Sequence, residues 1–196
     1  MLKRMEKSNT CSRCDICTMN NHTLMEGDGN KNANIMFIAR NPTAFEKKHN
    51  VPLIDKEGEL FQKFMDLFNF SREEVYITYA VKCKTPCHRV PNDREIANCY
   101  LHLDYDLLVV KPKIVVLIGE VAIKAYLKLA YTNKDVDILK LNAKSIIHDG
   151  RVVIFMMTPS YGLTDIHGRE FLYEAFVTLL NEYRKINPLH ETNINI

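Results

Sequence analysis

The stretch Val75-Tyr76-Ile77-Thr78-Tyr79-Ala80-Val81 is β-branched and aromatic with no polar alternation, so it reads as a strand buried on both faces. Three more apolar runs match it: Ile35-Met36-Phe37-Ile38-Ala39, Ile114-Val115-Val116-Leu117-Ile118 and Val152-Val153-Ile154-Phe155-Met156-Met157. Helical patterns separate them. Residues 59–70 carry Leu60, Phe61, Phe64, Leu67 and Phe68 at helical spacing. Pro91-Asn92-Asp93 caps a helix that runs to about Val110 and stops before Pro112. Residues 120–129 and 169–183 supply two more helices. Residues 132–150 read as irregular, with an extended piece around 138–141, and the polar tail from 187 reads as frayed.

Continuous apolar strands alternating with helices predict an α/β fold with three layers, α/β/α, around a central four-stranded parallel sheet. Ligands of such sheets bind beyond the carboxyl ends of the strands. The loops 39–46, 79–91 and 158–164 meet there, and chemistry is expected among them.

A chain of 196 residues with 46% hydrophobic and 26% charged residues reads as one ordinary globular domain spanning 1–196. Lys and Arg number 26 against 24 Asp and Glu, a net charge of +2. That balance excludes a histone-like polyanion binder but leaves room for a local basic patch. No apolar run is long enough to span a membrane, and the basic start Met1-Leu2-Lys3-Arg4 is not followed by an apolar segment. A cytoplasmic monomer is expected.

Six cysteines fall in two windows, Cys11, Cys14 and Cys17, then Cys83, Cys87 and Cys99. In a reducing compartment such grouping points to metal binding rather than disulfides. Residues 1–33 lack apolar periodicity, so a metal is the simplest means of holding them. Cys11-x2-Cys14 with Cys83-x15-Cys99 offers four thiolates, and spacing alone accommodates either a tetrahedral zinc or a cubane iron–sulfur cluster.

The segment from Val75 through Lys82-Cys83-Lys84-Thr85-Pro86 resembles the family 4 uracil-DNA glycosylases, whose pattern is close to V-Y-I-T-N-V-V-K-C-R-P-P followed by N-R-x-P and a helix bearing another Cys. Cys87-His88-Arg89-Val90-Pro91 and Glu95-Ile96-Ala97-Asn98-Cys99 follow in register, and Lys111-Pro112-Lys113 leads into the third strand and Gly119 much as the family's I-x-P-x-V-I-V-x-L-G does. The similarity spans about residues 11–185. It implies a [4Fe–4S] cluster on Cys11, Cys14, Cys83 and Cys99, with no counterpart for Cys17 and Cys87. It also implies a monofunctional DNA glycosylase that hydrolyses the N-glycosidic bond of a base flipped out of DNA, since no lysine is evidently placed for a Schiff base.

The active-site motifs depart from that family. Its G-E-A-P-G is here Ala39-Arg40-Asn41-Pro42-Thr43. Asn41-Pro42, with Phe45 following, is similar to the N-P motif of the mismatch-specific and single-strand-selective branches, where the Asn orients the attacking water. Asn41 is equally an ordinary turn residue before Pro42. Tyr79 stands at the base-reading Asn and Leu53 at the stacking Phe, so Arg40, Pro42, Phe45, Leu53 and Tyr79 are the expected substrate contacts. Tyr79 or Phe45 would stack on a flipped base, although ordinary core packing accounts for either. Thr158-Pro159-Ser160 replaces H-P-S, which makes Thr158 the second catalytic candidate. Ser160 is expected on a phosphate and Leu163 in the base stack, although Leu163 is also what a scattered surface leucine looks like. Lys82, Lys84, His88 and Arg89 are expected on DNA phosphates. The three replaced motifs point either to a modified base, such as viral DNA carries, with a role in defence rather than repair, or to a DNA-binding member that has lost its chemistry.

Overall fold

A computed structural model describes residues 11–131 and 135–192. The expected parallel sheet is present, and an antiparallel strand extends it at each edge. Six strands run in the order β1-β3-β2-β4-β6-β5. The parallel centre comprises β2 (Ile35–Ala39), β3 (Val75–Tyr79), β4 (Ile114–Ile118) and β6 (Arg151–Met156). The edges are the two-residue β1 (Asp28–Gly29) and β5 (Ser145–His148). A two-residue turn, Asp149-Gly150, joins β5 to β6 with both residues at positive φ, the conformation that suits the right-handed twist of a hairpin.

Alternate side chains of each central strand enter opposite cores. Met36, Ile38, Val115, Leu117, Val153 and Phe155 pack with Ile96, Leu103 and Leu107 of α4 (Asp93–Val110) and with α5 (Gly119–Tyr126). Ile35, Phe37, Val116, Ile118, Ile154 and Met156 pack with α3 (Lys56–Leu67) and α8 (Ile166–Arg184). Phe176 centres the second core, with ring centroids of Phe37, Phe61, Phe64 and Phe68 between 5.4 and 6.3 Å away.

Several boundaries differ from the sequence expectation. Helix α3 starts at Lys56 because Asp55 caps it, its Oδ1 accepting from the amides of Glu57 (3.0 Å) and Gly58 (3.1 Å). The extended piece expected around 138–141 is instead a short helix, α6 (Ile138–Leu141). Three further short helices went unpredicted: α1 (Asp15–Met19), α2 (Ala44–His49) and α7 (Pro159–Thr164). In the tail, His190 stacks on Phe70 at 4.6 Å, and its ring contacts the Phe68 carbonyl. The parts of the N-terminal, central and tail expectations that fall on residues 1–10, 132–134 and 193–196 lie outside the described residues. Among the described residues, no helix is long and apolar enough to cross a membrane.

Candidate functional site

The carboxyl ends of β2, β3, β4 and β6 converge on a cavity of about 110 Å3. Arg40, Asn41 and Thr43 reach it from the end of β2, Tyr79 from β3, Ile118 from β4, and Thr158, Pro159 and Ser160 from β6 and α7. Glu46 of α2 and Leu53, Asp55 and Glu57 before and within α3 complete the wall. Its size suits a single ring rather than a larger ligand.

Asn41 is 9% exposed. Its Nδ2 donates to the Pro42 carbonyl (3.2 Å) and to Thr85 Oγ1 (3.4 Å), while Oδ1 is buried without a partner among the described residues. Thr85, fully buried, donates its own hydroxyl proton to the Arg89 carbonyl at 2.6 Å. That leaves Thr85 Oγ1 an acceptor for the amide and fixes which way Asn41 points. The sequence reading missed Thr85. Its place two residues after Cys83 in a proline-punctuated loop was the available signal.

Glu46 holds the opposite wall. In a capping box at the start of α2, its Oε2 accepts from the Thr43 amide (2.7 Å) and hydroxyl (2.9 Å), while Oε1 accepts from the Leu53 amide at 2.7 Å. Leu53 adopts a positive φ of 50°. Arg72 grips the Pro52 carbonyl (2.8 Å) and the Leu53 carbonyl. Gly58 lies so close that a Cβ there would come within 2.1 Å of the Leu53 carbonyl carbon. The phenol of Tyr79 accepts from the Leu53 amide at 3.2 Å and bonds to Glu46. Burial, with the Glu46 carboxylate beside it, keeps this phenol neutral far above the usual range. Tyr79 therefore walls the cavity with its ring while its hydroxyl is engaged elsewhere.

Arg40 and Glu57 are half-exposed at the rim. Burial, reinforced by the charge of Asp55, raises the Glu57 carboxyl above the ordinary range, and Arg40 opposes this. Ser160 Oγ donates to Thr158 Oγ1 at 2.9 Å, which leaves the Thr158 proton free to donate elsewhere. Gly119, at φ 79°, gives Thr158 its space: a Cβ there would sit 2.5 Å from Thr158 Cγ2. Leu163 is exposed on α7, as a side chain meeting DNA would have to be.

Two expected substrate contacts fall away from the cavity. Phe45 is 50% exposed and stacks on His49 at 4.3 Å, because α2 turns it outward while Glu46 points in. Pro42 is buried beside Asn41 and does not line the cavity. Lys82, expected on a phosphate, is only 3% exposed; its ammonium is paired with Asp106 of α4 and bonded to Thr78. Lys84 is half-buried, and His88 and Arg89 are exposed. Arg89 holds Glu95 through two bonds (2.8 and 2.5 Å).

The cysteines gather on the α4 face. Cys17, Cys83 and Cys99 belong to one buried core, with Cys11 and Cys14 packed against it. Cys17, fully buried, donates to the Cys11 carbonyl at 2.6 Å and bonds to Cys83. The Lys82 amide donates to Cys99 Sγ at 3.2 Å. Burial pushes the Cys17 thiol up to about 11 and the Cys99 thiol up to about 12, and it raises Cys83 as well, its neighbouring thiols adding to the effect. Among the described residues, no three Cys, His, Asp or Glu side chains close on a point that would hold one metal ion. Cys87 lies apart and exposed, at a positive φ of 49° in the 82–91 loop.

The family model of the uracil DNA glycosylase superfamily matches residues 26–181. A type-4 uracil-DNA glycosylase of Sulfurisphaera tokodaii is 28% identical over 190 residues, covering 95% of this chain and 83% of that protein. One of Thermotoga maritima is 29% identical over 157 residues, 80% of this chain and 79% of its own. A DNA polymerase of Bacillus phage SP01 is 27% identical over 137 residues, 69% of this chain but 14% of that protein.

Proposed function

Since the chain belongs to the uracil-DNA glycosylase superfamily, we propose that it is a monofunctional DNA glycosylase acting on a single-ring base flipped into the cavity beyond β2, β3 and β6. The observation that carries the reading is the free Oδ1 of Asn41, a buried acceptor in a side chain that lines the cavity and whose amide nitrogen is already committed. Few buried polar atoms lack a partner, and of those in the described residues, Asn41 Oδ1 is the one whose side chain lines this cavity. A water accepted there stands to attack the deoxyribose C1′. As the glycosidic bond breaks, its electron pair leaves with the base, and the free proton of Thr158 meets the charge that develops on a base oxygen. Backbone and phosphate contacts fall to Lys84, His88, Arg89 and Ser160, with Leu163 filling the gap in the stack.

Tyr79, Leu53 and Thr158 replace the residues that fit plain uracil in the family pattern, which supports a modified pyrimidine as the preferred base. A substituent longer than the ring would pass Thr158 and Ser160 into the adjoining groove lined by Ile138, Leu139 and Tyr161. A role against viral DNA is the finer form of this proposal.

The chemistry of the donor set fits an iron–sulfur cluster: the Cys17, Cys83 and Cys99 thiols are buried together, Cys11 and Cys14 pack against them, and a backbone amide already donates to one sulfur. Cys83 and Cys99 would hold it with two of the N-terminal thiols. The resemblance names Cys11 and Cys14, and Cys17 is hydrogen-bonded to Cys83. Bound there, the cluster supplies a structural clamp that pins the N-terminal segment to the 83–99 region.

The test is an abasic-site assay on duplex and single-stranded DNA containing uracil, hydroxymethylated, glycosylated or deaminated bases. The wild type is expected to leave abasic sites on at least one, and Asn41→Ala to slow this by about a hundredfold or more. DNA binding without abasic sites on any substrate would show a binding member of the superfamily instead.

A further inference from the structure

We propose that Glu57 is a catalytic residue whose carboxylate takes the proton of the water held by Asn41. The inference rests on the glycosylase reading above. An amide oxygen positions a water but is too weak a base to accept its proton. The neighbouring Arg40, where the family pattern has an acid, is a permanent cation. The proton needs another acceptor in the same cavity.

Three carboxylates line that cavity, and two are occupied. Glu46 accepts from Thr43 and Leu53 and bonds to Tyr79. Asp55 caps α3. The Glu57 carboxylate has no hydrogen-bond partner among the described residues; it meets its neighbours only through their charge, Asp55 and Glu46 raising its proton affinity and Arg40 lowering it. Its backbone is fixed, since its amide is bonded to Asp55 and the next residue, Gly58, packs on Leu53. A free carboxylate on a rigid first turn therefore lines the same small cavity as Asn41, whose amide oxygen is buried and unpartnered among the described residues.

The step balances. Water oxygen bonds to C1′, the C1′–N bond breaks, and its electron pair leaves on the base. The proton lost by the water resides on Glu57 until solvent or the departing base removes it. Only the ionised carboxylate serves. With its affinity for protons raised by burial, Asp55 and Glu46, activity should fall on the acid side at a pH above the ordinary carboxylate value of 4.5.

Single-turnover excision is measured between pH 4.5 and 9 for the wild type, Glu57→Gln and Glu57→Asp, on whichever DNA the wild type cleaves best, together with DNA affinity and melting temperature. Glu57→Gln is expected to be at least about a hundredfold slower, with affinity and melting unchanged and no acid limb. Glu57→Asp is expected to keep an acid limb at an intermediate rate, and it carries the comparison should the amide variant fail to fold. A Glu57→Gln rate within about threefold of wild type, a loss confined to affinity, or an acid limb that survives the amide would overturn the role of Glu57 while leaving the glycosylase reading intact. A wild type inactive on every DNA would overturn both.

Discussion

Lys82 offers a direct contest between sequence and structure. Its place in the basic loop marks it for phosphate, yet its side chain is only 3% exposed, its ammonium pairs with Asp106, a residue itself 8% exposed, and Thr78 donates to the same carboxylate at 2.7 Å. Removing one member of such a pair leaves the other charge buried and unpaired, at a cost of about 3–5 kcal/mol. For a domain of this size each kcal/mol lowers the melting temperature by about 2–4 °C, so Asp106→Asn or Lys82→Met should lower it by roughly 6–20 °C. Replacing both with apolar residues of similar volume should recover much of the loss. DNA affinity supplies the contrast. A lysine on a phosphate changes the slope of log affinity against log salt by about one when removed. Lys84→Ala should show that change, and Lys82→Met, measured on folded protein below its melting temperature, should not. Calorimetric melts and salt titrations of binding to a labelled duplex decide the matter. An unchanged melting temperature in Lys82→Met with a reduced salt slope would refute the burial argument and return this residue to the DNA-facing surface.

Two further predictions concern residues supporting the site. Anaerobically purified Cys83→Ser and Cys99→Ser should lose iron and acid-labile sulfide, while Cys87→Ser, exposed and apart from the other thiols, keeps them. Of the N-terminal three, Cys17→Ser should lose more iron than Cys11→Ser, because Cys17 is fully buried against Cys83 while Cys11 is half-exposed; zinc in place of iron would assign a different group to the same thiols. Thr85→Val removes the acceptor for Asn41 Nδ2 and should slow excision about three- to tenfold, in line with one neutral hydrogen bond. Thr85→Ser should restore the rate, and equal rates in all three proteins would show that Pro42 alone orients the amide.

The central sheet was readable because its strands are buried on both faces over nearly all their length and hence almost continuously apolar, β6 departing from this only at its first two residues. The edge strands lacked it. In β5, Ile146 and Ile147 are exposed, and the clearer signal was the Asp149-Gly150 turn behind them. Helix α2 announced itself only through Thr43 and Glu46 at capping-box spacing, since its one large apolar residue, Phe45, faces outward. The site was legible where a residue stands at a strand end, as Asn41, Tyr79 and Thr158 do. It was illegible where a role depends on a partner far along the chain. Nothing near Lys82 in sequence reveals Asp106 on α4, and nothing near Thr85 reveals Asn41, 44 residues earlier. Glu57 was hidden for a related reason: its significance lies in the bonds its neighbours make and it does not.

Adjacent residues of α2 connect the cavity to the thiols. Glu46 turns inward to fix Leu53 and Tyr79. Lys47 turns the other way, donating to Asn20 Oδ1 at 2.7 Å, and Asn20 in turn donates to the Lys84 carbonyl at 2.8 Å. The nearby Cys83 and Cys17 thiols favour the Lys47 charge even as burial lowers its affinity for a proton. From Lys84 the chain passes directly to Thr85, the residue that orients Asn41. Whatever holds Cys17 and Cys83 together therefore also holds both ends of a short support, one ending at the amide of Asn41 and the other at the carboxylate beneath Tyr79. Loosening the thiols would act in two directions, on the α4-side core of the sheet through the buried Ile16 and Cys17, and on the orientation of Asn41 through Lys84 and Thr85.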